Sequence, residues 1–170
     1  MPEPVGCRTI LVADDSVGHL RVVEMLLSAH NYDVVAVADG HEALTYLHAN
    51  TPHIAILDVN MPFMTGIDLC GRVKRIARLR ALPVIIMTSL VDDATIAGAE
   101  AAGADLLIHK PLAGQSVPQM IKEASAAAVL RLANAEGGSR LPARRAGGAE
   151  QSSLSADHAS GDSTSSSSLL

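Results

Sequence analysis

Ile54-Ala55-Ile56-Leu57-Asp58-Val59-Asn60-Met61-Pro62 is the stretch whose reading decides the fold: an apolar run stops at a carboxylate, and a proline follows two residues after Asn60. A short unbroken apolar run is the pattern of a strand buried on both faces. Its far end must emerge into a loop, and in an open parallel sheet ligands bind at the carboxyl ends of the strands. The run therefore aims Asp58 at solvent on the functional edge. A single aspartate at a strand end is also compatible with a plain cap, so its meaning depends on the rest of the chain.

Working outward, residues 9–13 (TILVA) form another apolar run, ending in Asp14-Asp15-Ser16, and Leu20, Val23 and Leu27 give residues 17–29 a helical period. Ser16 can cap that helix, which frees both aspartates for other work. Residues 34–37 read as a strand, and Asp39 with Glu42 three positions on is an N-cap signature for a helix over 42–49. Downstream of Asp58, Thr65 and Asp68 open a helix to about Leu79, Pro83 interrupts the chain, and residues 84–88 (VIIMT) make a fourth strand. Asp92 caps a helix to about Ala102. Gly98 inside it costs about 1 kcal/mol against alanine, making it the weakest helix. Gly103 ends it, residues 106–108 form a fifth strand, and Lys110-Pro111 follows. Ser116 and Gln119 open a last helix with an apolar stripe through Val117, Met120, Ile121, Ala124 and Ala128, stopped by Gly137 and Gly138.

The 170 residues suffice for one domain and a tail, and 48% hydrophobic residues can cover a sheet on both faces. The domain is expected over 8–134 and a disordered serine-rich tail over 137–170, since ten of residues 139–170 are serine and apolar residues are sparse there. A net charge of −5 offers no positive field for nucleic acid or anionic lipid. The two cysteines, Cys7 and Cys70, give neither a disulfide framework nor a zinc spacing. Met1-Pro2-Glu3-Pro4 carries no signal-peptide pattern, and no run reaches about 18 apolar residues. These features predict a cytoplasmic protein with no membrane association and no direct nucleic-acid contact.

Five strands alternating with five helices predict an α/β domain with a parallel sheet and right-handed crossovers. Several sheet orders fit. In the order 2-1-3-4-5, strands one and three are neighbours, and Asp14, Asp15 and Asp58 end at one crevice. Three converging carboxylates repel one another unless a cation joins them, and all-oxygen ligation suits Mg²⁺ beside a phosphate, with Asn60 able to lend its carbonyl. Thr88 and Lys110 end strands four and five at the same edge. A carboxylate nucleophile, a divalent cation, a hydroxyl and a lysine make a phosphoryl-transfer set.

The segments LVADDS at 11–16, LDVNMPFMTG at 57–66, MTS at 87–89, GAD at 103–105 and HKP at 109–111 resemble the receiver domain of bacterial two-component response regulators. The likeness covers about residues 8 to 132. It implies a flavodoxin-like doubly wound five-stranded parallel sheet in the order 2-1-3-4-5. It also implies a single-domain receiver whose Asp58 accepts a phosphoryl group from a sensor histidine kinase or a histidine phosphotransferase. Asp14, Asp15, Asp58 and the Asn60 carbonyl would hold Mg²⁺, Thr88 would bind the phosphoryl group in the active state, and Lys110 would pair with it. A downstream protein partner, or onward relay of the group, would be the output, with no enzymatic turnover beyond the chain's own phosphorylation and dephosphorylation. The Lys110-Pro111 bond, by the same likeness, could be cis. Leu90 and Asn60 flank the expected path of an attacking water.

One position departs from that family. Leu107 stands three residues before the lysine, where the family usually has Tyr or Phe, which puts the aromatic relay in doubt and predicts a smaller or different surface change. The seven histidines read as surface residues, and Met25, Met61, Met64, Met87 and Met120 as core or loop fillers. The alternative is a phosphatase of haloacid-dehalogenase type, which also uses an aspartate nucleophile and Mg²⁺. It would need a second aspartate two residues past the nucleophile, where this chain has Asn60.

Overall fold

A computed structural model of the chain describes residues 8–137. The expected tail, with Cys7, lies outside the described residues except at its first position. In chain order the elements are β1 (Arg8–Ala13), α1 (Val17–Ser28), β2 (Tyr32–Val37), α2 (Gly40–Ala49), β3 (Ile54–Asp58), α3 (Gly66–Arg75), a 3-10 turn (Ala77–Leu79), β4 (Val84–Thr88), α4 (Asp93–Ala102), β5 (Leu106–His109) and α5 (Val117–Gly137). Every sheet pairing is parallel, and the order is β2-β1-β3-β4-β5. This is the doubly wound architecture that the alternation predicts.

The helices start where their capping residues dictate. Ser16 accepts from the His19 amide (3.3 Å), Thr65 from Asp68 (3.1 Å) and Asp92 from Thr95 (2.7 Å). Asp39 accepts from the His41 and Glu42 amides, and the Glu42 carboxylate accepts from the Ala38 amide, so this turn closes as a reciprocal cap. Gly103 ends α4 in the left-handed conformation (φ 82°), where a side chain would be strained.

Alternation along the strands divides the core into two layers. Ala55 and Leu57 of β3 face a layer with Ala43, Leu47, Leu69 and Val73 of α2 and α3. Ile54 and Ile56 face the opposite layer, with Val23 and Leu27 of α1 and Met120 and Ala124 of α5. All five residues of β3 and all five of β4 are buried, as continuous apolar runs require when both faces are covered. Met61, Met64, Met87 and Met120 are buried fillers, but Met25 is 65% exposed. It falls on the outer face of α1, filling neither core nor loop, which corrects the expectation for it.

Helix boundaries also differ: α2 begins at Gly40, two residues before the expected 42, and α3 stops early. The helix expected to run to Leu79 ends at Arg75, Ile76 turns extended (φ −80°, ψ 116°), and only the 3-10 turn follows. Arg78 in that turn donates to the carbonyls of Leu47, His48 and Asn50 and to the Thr51 hydroxyl. It thus satisfies carbonyls at the open end of α2, from a position that lies off the α3 helical track.

The start of α3 is pressed onto the end of β3. A Cβ added at Gly66 would lie 2.2 Å from the Asp58 carbonyl oxygen, so no side chain fits without displacing the backbone that carries Asp58.

Candidate functional site

Asp14, Asp58 and Thr88 are the polar residues buried in backbone and side chain together among the described residues, and each stands at the carboxyl end of a strand. Asp58 continues the alternation of Ile54 and Ile56, and Asp14 that of Ile10 and Val12, so both lean to the α1 and α5 side. Asp15 is exposed beside them. One carboxylate oxygen from each of Asp14, Asp15 and Asp58 lies within 4.8 Å of the others. Asn60 is exposed in the loop two residues past Asp58.

Lys110 reaches this crevice from the end of β5. Its peptide bond to Pro111 is cis, its backbone amide donates to the Thr88 carbonyl (2.8 Å), and its ammonium lies 2.7 Å from Asp14 Oδ2 and 2.9 Å from Asp58 Oδ1. One cation thus bridges two buried carboxylates, with a third at the rim. Burial pushes the Asp58 carboxyl above its ordinary range, Lys110 opposes this without overcoming it, and the charges of Asp14 and Asp15 push the same way as burial. Burial also acts to raise Asp14, but there Lys110, the Ser16 amide and His19 prevail and hold it low. Burial would lower Lys110, yet its two carboxylate partners raise it. The cluster therefore holds more negative charge than one ammonium balances. A donor set made of carboxylate oxygens suits a hard divalent cation.

Asp14, Asp15, Asp58 and Lys110 are brought together as the chain pattern predicts. Thr88 is not aimed at them. It continues the alternation of Ile86, on the other side of the sheet, and its hydroxyl donates to the Leu90 carbonyl (2.8 Å) while accepting from the Leu90 amide (3.1 Å). The hydroxyl that the likeness assigns to the phosphoryl group in the active state is here folded back on its own loop. Leu107 is half-buried against the layer formed by α2 and α3, opposite Ile86 of β4.

Sequence reasoning missed His19. Instead of lying free on the surface, its Nδ1 sits 2.5 Å from Asp14 Oδ2, with the side chain 16% exposed. A helical spacing rule could not find it, because Asp14 lies five residues earlier, across the loop and before the first turn of α1. The available signal was Ser16: capping places the third residue after it back toward the strand end.

No helix among the described residues is long and apolar enough to cross a membrane. The model of the response regulator receiver domain matches residues 10–122. The chain is 36% identical over 119 residues to "Probable transcriptional regulator ycf27" of Cyanophora paradoxa, covering 69% of this chain and 48% of that protein. It is 35% identical over 121 residues to "Two-component response regulator ORR3" of Oryza sativa subsp. indica, covering 71% of this chain and 91% of that one. It thus spans about half the length of the first relative and most of the second. Among solved structures, the receiver domain of sensor histidine kinase PA1611 from Pseudomonas aeruginosa PAO1 superposes with a TM-score of 0.65 at 20% identity, covering 71% of this chain and 99% of that one. That structure holds a magnesium ion in its active-site cleft, and at this identity the likeness is one of fold. The phosphatase alternative finds no support in these relatives. The expectation of no nucleic-acid contact gains none either, since one relative is named a transcriptional regulator. With the match to residues 10–122 spanning most of the chain, this protein belongs to the response regulator receiver domain family.

Proposed function

We propose that the chain carries a cytoplasmic receiver that takes a phosphoryl group on Asp58 from a phosphohistidine of a sensor kinase or phosphotransferase. It then signals to a protein partner or passes the group on, without direct contact to nucleic acid. The observation that carries this reading is the Lys110 bridge between two buried aspartates, with a third at hand. Lys110 holds Asp58 through Oδ1, so Oδ2 is the oxygen that attacks phosphorus. As the new P–O bond forms, the P–N bond to the donor imidazole breaks, and its electron pair stays on that nitrogen.

Asp14, Asp15, Asp58 and the Asn60 carbonyl would hold Mg²⁺, which when bound offsets the negative charge gathered around the transferring group. Lys110 is already within hydrogen-bond reach of Asp58 and pairs with a phosphoryl oxygen placed there. Thr88 reaches the phosphoryl group by leaving Leu90, and Leu107 accompanies that change without an aromatic ring. The chain catalyses no turnover on a separate substrate.

Incubation of the protein with a small acyl-phosphate donor and Mg²⁺, followed by intact mass measurement, is expected to show one added phosphoryl group, absent in Asp58→Asn. An unmodified mass for the unsubstituted protein would sink the reading.

A further inference from the structure

The histidine left out of the sequence reading has a definite place in this site. A deprotonated carboxylate only accepts hydrogen bonds, so the 2.5 Å contact between His19 Nδ1 and Asp14 Oδ2 requires the hydrogen to sit on Nδ1. Lys110 donates to the same oxygen at 2.7 Å, while Oδ1 accepts from the Ser16 amide at 2.9 Å. Each carboxylate oxygen offers about two acceptor positions. Oδ2 is therefore filled by two donors, and Oδ1 keeps one position open. The other ring nitrogen, Nε2, is buried with no partner, so the ring's one polar anchor is Asp14.

We propose that His19 is a positioning residue for the cation site: with Lys110 it saturates Asp14 Oδ2, fixes the rotation of that carboxylate, and presents Oδ1 to the divalent cation. Hydrogen bonds that hold ligating groups typically control metal affinity by about ten- to a hundredfold. Asp14 is fully buried and its carboxylate is held by the donors of His19, Lys110 and Ser16, so losing one of them frees it to turn. This inference rests on the proposed Mg²⁺ site and adds a residue to it.

The test is calorimetric titration of the intact chain with Mg²⁺, without any phosphodonor. His19→Leu, of similar bulk and without a donor, is expected to raise the Mg²⁺ dissociation constant about tenfold or more. His19→Asn, whose amide nitrogen can occupy the place of Nδ1, is expected to recover most of the loss. Thermal unfolding in a chelator checks that each variant folds. Should His19→Leu fail that check, His19→Gln takes its place, since its donor sits one bond too far out. Unchanged or tighter binding in the variant without a correctly placed donor, or no recovery with Asn, overturns the positioning role. An unsubstituted protein that takes up no Mg²⁺ overturns the cation reading as well, which separates the two failures.

Discussion

Two buried acid clusters stand at opposite ends of the same sheet, and they differ in how many charges each holds. At the amino end, before β5, the Asp105 side chain is fully buried and faces two cations. Its Oδ2 accepts from Lys74 (2.7 Å) and from the Val84 amide (2.9 Å), and its Oδ1 from Arg131 (2.8 Å). At the carboxyl end, three carboxylates share one ammonium and one imidazole. The residue types and distances are alike. The first cluster joins α3, β4, β5 and α5 into one body, because its anion is fully satisfied. The second is left short of positive charge, the condition under which a further cation is favoured.

The most disruptive way to test this contrast is Asp105→Ala, which leaves Lys74 and Arg131 facing each other with no anion between them. Loss of one partner of a buried pair typically costs about 3–5 kcal/mol. Urea unfolding should show a loss of that order, while the surviving folded protein still accepts a phosphoryl group at Asp58. A variant that folds normally but cannot be phosphorylated would break the division between the clusters.

The second test adds the charge that the upper cluster lacks. Mg²⁺ at a hundredfold over its dissociation constant should stabilise the protein by about 2.7 kcal/mol, read as a rise in thermal midpoint. Asp14→Asn should abolish most of this rise. A persistent rise would place the cation elsewhere.

The smallest expected effect has the opposite sign from the first. Without a cation, Asp58→Asn removes a repelled charge and should raise stability on the order of 1 kcal/mol near neutral pH, the scale of partly screened like charges. Because folding raises the pKa of Asp58, its charged form costs the native state stability at neutral pH. That cost disappears as pH falls through the raised value, so the gap between the two proteins should close on acidification. Asp14 behaves the other way: its lowered pKa stabilises the fold above the ordinary carboxylate range and is lost as pH falls. Unfolding curves across acidic pH that stay parallel would contradict the assignment of excess charge to Asp58.

The strands were legible because runs such as 9–13, 54–57 and 84–87 are each followed by a polar side chain, and the caps because Ser16, Asp39, Thr65 and Asp92 carry side chains that bind backbone amides. The convergence of Asp14, Asp58 and Lys110 followed from the strand order. What the chain pattern did not disclose was direction. Thr88 could be placed at a strand end, but alternation puts it on the opposite side from Asp58, and its hydroxyl found a partner two residues away. His19 escaped because its partner lies across a loop. The early end of α3 escaped because apolar residues at Val73, Ile76 and Leu79 fit a continued helix as well as a broken one.

The bond between Thr88 and Leu90 has a consequence of its own. A hydroxyl has a single hydrogen, and here it is given to the Leu90 carbonyl. Any other acceptor that engages Thr88 as a donor must take that hydrogen away, so the two contacts are mutually exclusive. Redirecting that hydrogen frees the carbonyl of Leu90, a residue 62% exposed, while the bond from its amide to the Thr88 oxygen does not depend on it. The loop after β4 can report on its neighbourhood through the choice made by one proton.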